Sequence, residues 1–489
     1  MEKERLDLDY EMIQKPKILP GMGLTYNDVL LVPQYSEINS RNEVNVSAQL
    51  TKKIRLKIPF VSGNMDTVTE SKMAISMARI GGIGIIHRYM KIEDQANEVL
   101  KVKRAESVII ERPFIISENQ SLHDAKSLML KQEIHGLLVV DEYEKLVGIL
   151  SNRDIKFIDD ERVAVKEIMT KNPITAPIGT GTEAARGILQ KYRIEKLPLV
   201  DEEGNIFGLI TSKDIENRDK YPLASKDKKG RLLVGAAVGV KRDYLERTEA
   251  LLNSGCDCIL IDVAHGHNKL AINATKQIKK RFETELIVGN VATALATQDL
   301  ISAGADCVKI GIGSGAICTT RLVAGAGVPQ FTAVLDCSRI GHEYNVPVMA
   351  DGGIGGMAGN IAKAIGAGAS TVMRNRSLAG TAESPGITIM RNGRKYKIYR
   401  GSASFGANMT RNQKMGEDVD VEYNPEGVEA LVHYTGTAEE LIKPLVKGLK
   451  SGMSYTGAYT IEDFWKKAEF VRISPASWQE SKPHDVELI

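Results

Sequence analysis

The chain has 489 residues, too many for one ordinary core, so two or three domains are expected. Its 64 Lys and Arg nearly balance 62 Asp and Glu, and no long block of one sign occurs, which argues against nucleic acid or a membrane surface as the defining partner. No apolar run is long enough for a membrane span, the acidic start is no signal peptide, and five cysteines make no disulfide framework; a reducing, cytoplasmic enzyme is expected.

Short β-branched runs recur along the chain at the spacing of βα units. They are Pro59–Ser62, Gly82–Ile86, Leu232–Ala237, Cys258–Asp262, Leu286–Gly289, Cys307–Ile310, Pro347–Ala350 and Ser370–Met373. Helical patterns such as Tyr244–Ser254 and Gly359–Ala367 lie between them. Eight strands, each feeding a helix, predict a (β/α)8 barrel in preference to a doubly wound sheet. Cys256 and Cys258 flank Asp257 without a second ligand pair and read as core residues.

The barrel pattern stops between about 105 and 225, where the chain repeats itself. Leu137–Asp141 matches Leu197–Asp201, and Val147–Asp154 matches Phe207–Asp214, both at a spacing of 60 residues. The expected organisation is a first barrel part over 1–104, two repeat units over 105–164 and 165–225, and the remaining barrel over 226–489. Lys226–Gly230 reads as an exposed return linker. The units resemble tandem CBS modules, the regulatory modules named after cystathionine β-synthase. The resemblance implies that Ser151 with Asp154, and Thr211 with Asp214, contact the phosphate and ribose of an adenine or guanine nucleotide. The same Ser/Thr-x-x-Asp pattern also caps a helix.

After the sixth strand run comes Gly311-Ile-Gly-Ser-Gly-Ala-Ile-Cys-Thr-Thr-Arg321. Glycines 311, 313 and 315 permit a sharp turn and a close approach of backbone to ligand. A thiol, Cys318, sits at its tip, at the end of a barrel strand where a nucleophile belongs.

This order of parts resembles the inosine-monophosphate dehydrogenase and guanosine-monophosphate reductase superfamily. The resemblance covers essentially the whole chain and includes Gly23–Pro33, Asn64–Glu70, Asp262–His267, Gly289–Thr293, Asp351–Ile354, Tyr399–Gly401, Pro425–Gly427 and Pro483–Val486. It implies that the Cys318 thiolate adds to C2 of a 6-oxopurine nucleotide and that hydride moves between C2 and a nicotinamide cofactor, NAD or NADP. Thr320 and Glu426 would handle protons. Met65 would pack on the base, Asp351 would accept from the ribose hydroxyls, and Gly352 and Gly353 would bring backbone donors to the phosphate. Tyr399, Gly401 and Gly427 complete the substrate set. Asp262, Asn290, Gly311 and Gly313 are expected at the cofactor. Potassium would sit on carbonyls of Gly313, Gly315 and Cys318, completed by Glu480, Ser481 and Lys482 of a neighbouring subunit in a homotetramer or octamer. His265 and His267 would shape their loop.

Four departures from the family pattern stand out. Ala316 occupies the position of a phosphate-contacting serine. Met373-Arg-Asn-Arg376 replaces Met-Leu-Gly-Ser, so Arg374 or Arg376 is expected to contact phosphate by charge. Gly401-Ser-Ala403 replaces Gly-Met-Gly. Between Ser404 and Glu426 the Arg-Tyr pair that activates water in the dehydrogenases is missing; Arg411 is the sole arginine there. The inserted repeat, Ala264-His-Gly-His267 and the Pro483–Val486 tail are dehydrogenase-like. The expected activity is oxidation of IMP by NAD, with NADPH-dependent reductive deamination of GMP as the alternative and a non-catalytic nucleotide sensor as a third reading.

Overall fold

The structure is a computed structural model that describes residues 17–106, 109–111, 113–132, 134–415 and 424–487. Its centre is a closed parallel barrel. The strands are β1 (Phe60–Ser62), β2 (Ile83–Ile86), β3 (Val234–Val238), β4 (Cys258–Asp262), β5 (Glu285–Val291), β6 (Cys307–Ile310), β7 (Val348–Asp351) and β8 (Thr371–Arg374). They pair in chain order, and β8 closes on β1 through Val372 opposite Phe60 and Met373 opposite Val61.

Strands covered on both faces must be apolar throughout, which is why they read as continuous rather than alternating runs. Val61, Ile83, Ile85, Cys258, Leu260, Cys307, Met349 and Met373 fill the barrel interior. Leu50 and Leu56 join them from the hairpin Ala48–Gln49/Arg55–Leu56. The intervening residues, such as Ile86, Ile259, Ile261, Val308 and Val372, pack outward against the helices. Cys256, Cys258, Cys307 and Cys337 are buried, and burial raises all four thiols above the ordinary range.

Between β2 and β3 the repeat forms two small sheets with separate apolar cores. One contains Ile115–Ser117, Gly136–Val140, Leu146–Ser151 and Thr170–Lys171; the other contains Ala176–Pro177, Lys196–Val200 and Ile206–Thr211. Both carry the same turn: Asp141 Oδ1 accepts from the Tyr143 and Lys145 amides, and Asp201 Oδ1 from those of Glu203 and Asn205. Thr170–Lys171 pairs with the Leu146–Ser151 strand, so the first sheet extends past residue 164. A sequence period fixes the spacing of units but not where each begins.

Beyond β8 a three-stranded antiparallel sheet (Thr388–Arg391, Arg394–Arg400, Glu429–His433) rises over the barrel mouth. Its tight hairpin uses Asn392 and Gly393, both at positive φ, as such turns require. The helix Phe405–Met415 lies in the connection between its last two strands. Residues 416–423 of the segment between Ser404 and Glu426 are outside the described residues.

Candidate active site

A cavity of about 860 Å³ opens at the C-terminal end of the barrel strands. Its floor is the loop after β6. The turn there needs glycine: a Cβ on Gly311 would meet the Asp351 carbonyl at 2.1 Å, and one on Gly313 the Arg321 side chain at 2.4 Å. Cys318, the one cysteine outside the core, reaches the cavity with its Sγ 3.2 Å from Thr320 Oγ1. Thr320 opens a short helix, Thr320–Val323.

Backbone contacts centred on Gly427 tie this loop to the roof. Cys318 and Ser404 each bridge to Gly427, and the Thr319 amide donates to the Glu426 carbonyl at 3.0 Å. Glu426, Gly427, Gly401 and Arg411 therefore line the same cavity as the thiol. Met65 lines it from the loop after β1, and the buried Tyr399 hydroxyl donates to Met65 Sδ at 3.7 Å. Burial, reinforced by the Asp351 charge, pushes the Tyr399 hydroxyl well above its ordinary range, so it stays a neutral donor.

The ends of β4 to β7 are joined by one buried charge cluster. Lys309 Nζ donates to Asp262 Oδ1 and to Asp351 Oδ2, both at 2.9 Å, with its side chain 3% exposed. Asn290 Nδ2 donates to Asp351 Oδ2 at 3.0 Å and to the Gly311 carbonyl at 2.7 Å. Burial works against the charge on Asp262, but Lys309, Arg88 and Asn64 outweigh it and hold the carboxyl below its ordinary range. Lys309 is likewise opposed by burial and raised by its two carboxylates, so it is a fixed cation at neutral pH. Asp262, Asn290, Gly311, Gly313 and Gly315 all face the cavity.

Several expected site residues lie elsewhere. Gly352 and Gly353 do not line the cavity wall; they support the cysteine loop from behind. The Gly353 amide donates to the Ser314 carbonyl at 2.9 Å, and a Cβ on Gly352 would meet Ser314 Oγ at 2.6 Å. The Gly353 amide is thus directed to the loop in this structure.

Arg374 also sits outside the cavity lining. Met373 faces the cavity, and alternation along β8 turns Arg374 to the other side, where it is buried and donates to Ser377 Oγ at 3.1 Å. Burial, with the neighbouring Arg376 charge, lowers it to about 10, still cationic at neutral pH. Arg376 is exposed just past β8, and its charge is felt at the Tyr399 hydroxyl. Glu480, Ser481 and Lys482 are exposed and none lines the cavity of its own chain.

In the inserted region, Ser151 caps the helix Asn152–Ile155. Its hydroxyl donates to Asp154 Oδ2 at 2.6 Å and its amide to the same oxygen at 2.7 Å. Thr211 ends its strand half-buried, and the Asp214 side chain lies outside the described residues. His267 pairs with Asp299 at 2.8 Å, away from the cavity lining.

Sequence reasoning passed over Lys309, Asn375, Arg88, Tyr89 and Arg242, all of which line the cavity. Lys309 carried a signal: a lysine inside the run Cys307–Ile310 must find buried counter-charges or leave the strand. Tyr89 carried none; its hydroxyl donates to the Ser402 carbonyl at 3.1 Å, a contact only the closed barrel creates.

A family model described as the IMP dehydrogenase / GMP reductase domain matches residues 23–484. An inosine-5'-monophosphate dehydrogenase of Nitrosopumilus maritimus is 53% identical over 473 residues, 96% of this chain and 99% of that protein. One of Aquifex aeolicus is 52% identical over 95% of this chain and 96% of its own length. Among solved structures, a cysteine-to-alanine variant of GMP reductase from Trypanosoma brucei, in complex with guanosine 5'-monophosphate, superposes with a TM-score of 0.89. It is 42% identical over 98% of this chain and all of that one. The chain therefore belongs to the IMP dehydrogenase / GMP reductase family.

Proposed function

We propose that the chain oxidises IMP to xanthosine monophosphate with NAD, in guanine nucleotide biosynthesis. The observation that carries the reading is the full-length identity of about one half to proteins named as inosine-5'-monophosphate dehydrogenases. Its chemical support is the cavity thiol beside Thr320.

In this reading Cys318 loses its proton and its sulfur adds to C2 of the purine. The C2 hydrogen departs as hydride, leaving a purine joined to sulfur through C2. Nicotinamide, when bound, supplies the hydride acceptor. Water then adds to C2, the thiolate leaves, and one proton goes to the protein. Met65 packs on the base, Asp351 accepts from the ribose, and the phosphate lies by Gly401, Tyr399 and Arg376. Asp262, Asn290, Gly311 and Gly313 line the cavity and would hold the cofactor. Glu426 and Thr320 carry the proton, and Arg411 activates the water.

Oxygen donors suit a hard monovalent cation. A potassium ion would be held by the carbonyls of Gly313, Gly315 and Cys318. Residues Glu480–Lys482 of a neighbouring copy would complete it in a homotetramer or octamer. The two small sheets, as CBS modules, would bind adenine or guanine nucleotides through Ser151 with Asp154 and Thr211 with Asp214. Among the described residues no helix is long and apolar enough to cross a membrane, in keeping with a cytoplasmic enzyme.

One observation favours reductive deamination of GMP instead: the segment from Ser404 to Glu426 has no Arg-Tyr pair. Acid quenching during turnover separates the readings. With IMP and NAD, intact-protein mass spectrometry should find a purine adduct on Cys318, and Arg411→Ala should increase its occupancy. An adduct formed from GMP and NADPH but never from IMP and NAD would overturn the dehydrogenase reading.

A further inference from the structure

The substrate-facing carboxylate, Asp351, is more heavily committed than a simple ribose acceptor would be. A carboxylate offers about four lone-pair sites, two on each oxygen. Oδ2 already accepts from Lys309 Nζ and Asn290 Nδ2, at 2.9 and 3.0 Å. Oδ1 accepts from Asn375 Nδ2 at 3.0 Å. One site remains.

Asn375 stands where the family pattern has glycine, and its amide is locked in one orientation. Its Oδ1 is buried without a hydrogen-bond partner, pressed against Gly63. A Cβ at Gly63 would lie 1.6 Å from that oxygen and 2.8 Å from Asn375 Cγ. The pair is therefore mutually dependent: Asn375 holds this position only because residue 63 has no side chain. Turning the amide over would aim its oxygen at the Asp351 carboxylate, which is repulsive, so Nδ2 stays on Asp351. With its own oxygen sealed from the cavity, Asn375 cannot replace the acceptor site it removes.

We propose that Asn375 is a specificity-determining residue that restricts Asp351 to one ribose hydroxyl, so that the site demands one hydroxyl of the 2',3'-diol and tolerates loss of the other. The proposal rests on Asp351 as the ribose acceptor. A lock of this kind predicts two equivalent ways to release it: Asn375→Gly removes the amide, and Gly63→Ala evicts it while leaving the asparagine in the chain.

The test is equilibrium binding to the full-length Cys318→Ala protein, which does not turn over. The probes are IMP, 2'-deoxy-IMP and 3'-deoxy-IMP, with thermal melting as a check on folding. One deoxy analogue should bind nearly as well as IMP and the other about tenfold worse, the size of one net hydrogen bond. Adding either Asn375→Gly or Gly63→Ala should make both analogues about tenfold worse than IMP. Equal penalties on both analogues in the parent, or a pattern that neither substitution changes in a folded protein, would overturn the proposal. The same series with GMP and its deoxy analogues separates the sugar rule from the choice of base. A protein that binds only the guanine series would refute the IMP reading and still report the number of hydroxyls read.

Discussion

The floor and the roof of the cavity are built in opposite ways. On the floor, four barrel strands converge on Lys309, whose buried charge is matched by Asp262 and Asp351 and braced by Asn290. The roof is the helix Phe405–Met415 together with Glu426 and Gly427, attached to the floor through the backbone at Gly427. Buried charges with fixed partners cost nothing to organise at the moment of reaction, so the floor suits the step that needs the most exact placement, addition of sulfur to C2. A roof joined by a few backbone contacts suits exchange of ligands above a covalently held purine.

If that division holds, substitutions should sort by half-reaction. The largest effect belongs to the thiol: Cys318→Ala should abolish turnover while leaving nucleotide binding and folding intact. Activity above a few per cent of the parent would break the assignment, because removing a covalent nucleophile costs orders of magnitude more than that.

Next is the roof. Glu426→Gln keeps shape and removes a proton carrier, so steady-state turnover should fall by about 10²–10⁴-fold while the first hydride transfer survives as a burst. Loss of the burst together with steady-state turnover would place Glu426 in the floor's chemistry. Lys309→Met tests the floor from the other side. It leaves two buried carboxylates without their cation and should cost about 3–5 kcal/mol in denaturant unfolding. A change below about 1 kcal/mol, the scale of a surface ion pair, would mean the cluster is open to water.

The smallest effect on chemistry is expected from the inserted sheets. Replacing 105–225 by a short linker should leave IMP turnover in place and remove responses to adenine and guanine nucleotides. A folded but inactive deletion protein would show that the insert helps build the cavity.

How much of this was legible beforehand follows the same division. The barrel strands could be read because burial on two faces forces continuous β-branched runs, and the observed strands fall within one or two residues of those runs. The position of Cys318 at the cavity could be read because the glycines before it mark a tight turn at the end of a strand. The cross-strand partners could not. That Asp351 would meet Lys309, Asn290 and Asn375 depends on which strand ends the closed barrel makes adjacent. Arg374 shows the same limit: residue type suggested phosphate, but strand alternation turns it away from the cavity and Met373 and Asn375 take its place. Gly63, unremarkable in sequence, gains meaning only beside Asn375.

The central claim is that the thiol serves oxidation of IMP, and the direct measurement is paired turnover of the unmodified protein. IMP with NAD should give NADH and xanthosine monophosphate in equal amounts, at a rate on the order of 1 per second, the lower range of ordinary turnover. GMP with NADPH should release no ammonia. GMP-dependent oxidation of NADPH with release of ammonia, and no NADH from IMP, would contradict the account and assign the same cysteine to the reverse direction of hydride flow.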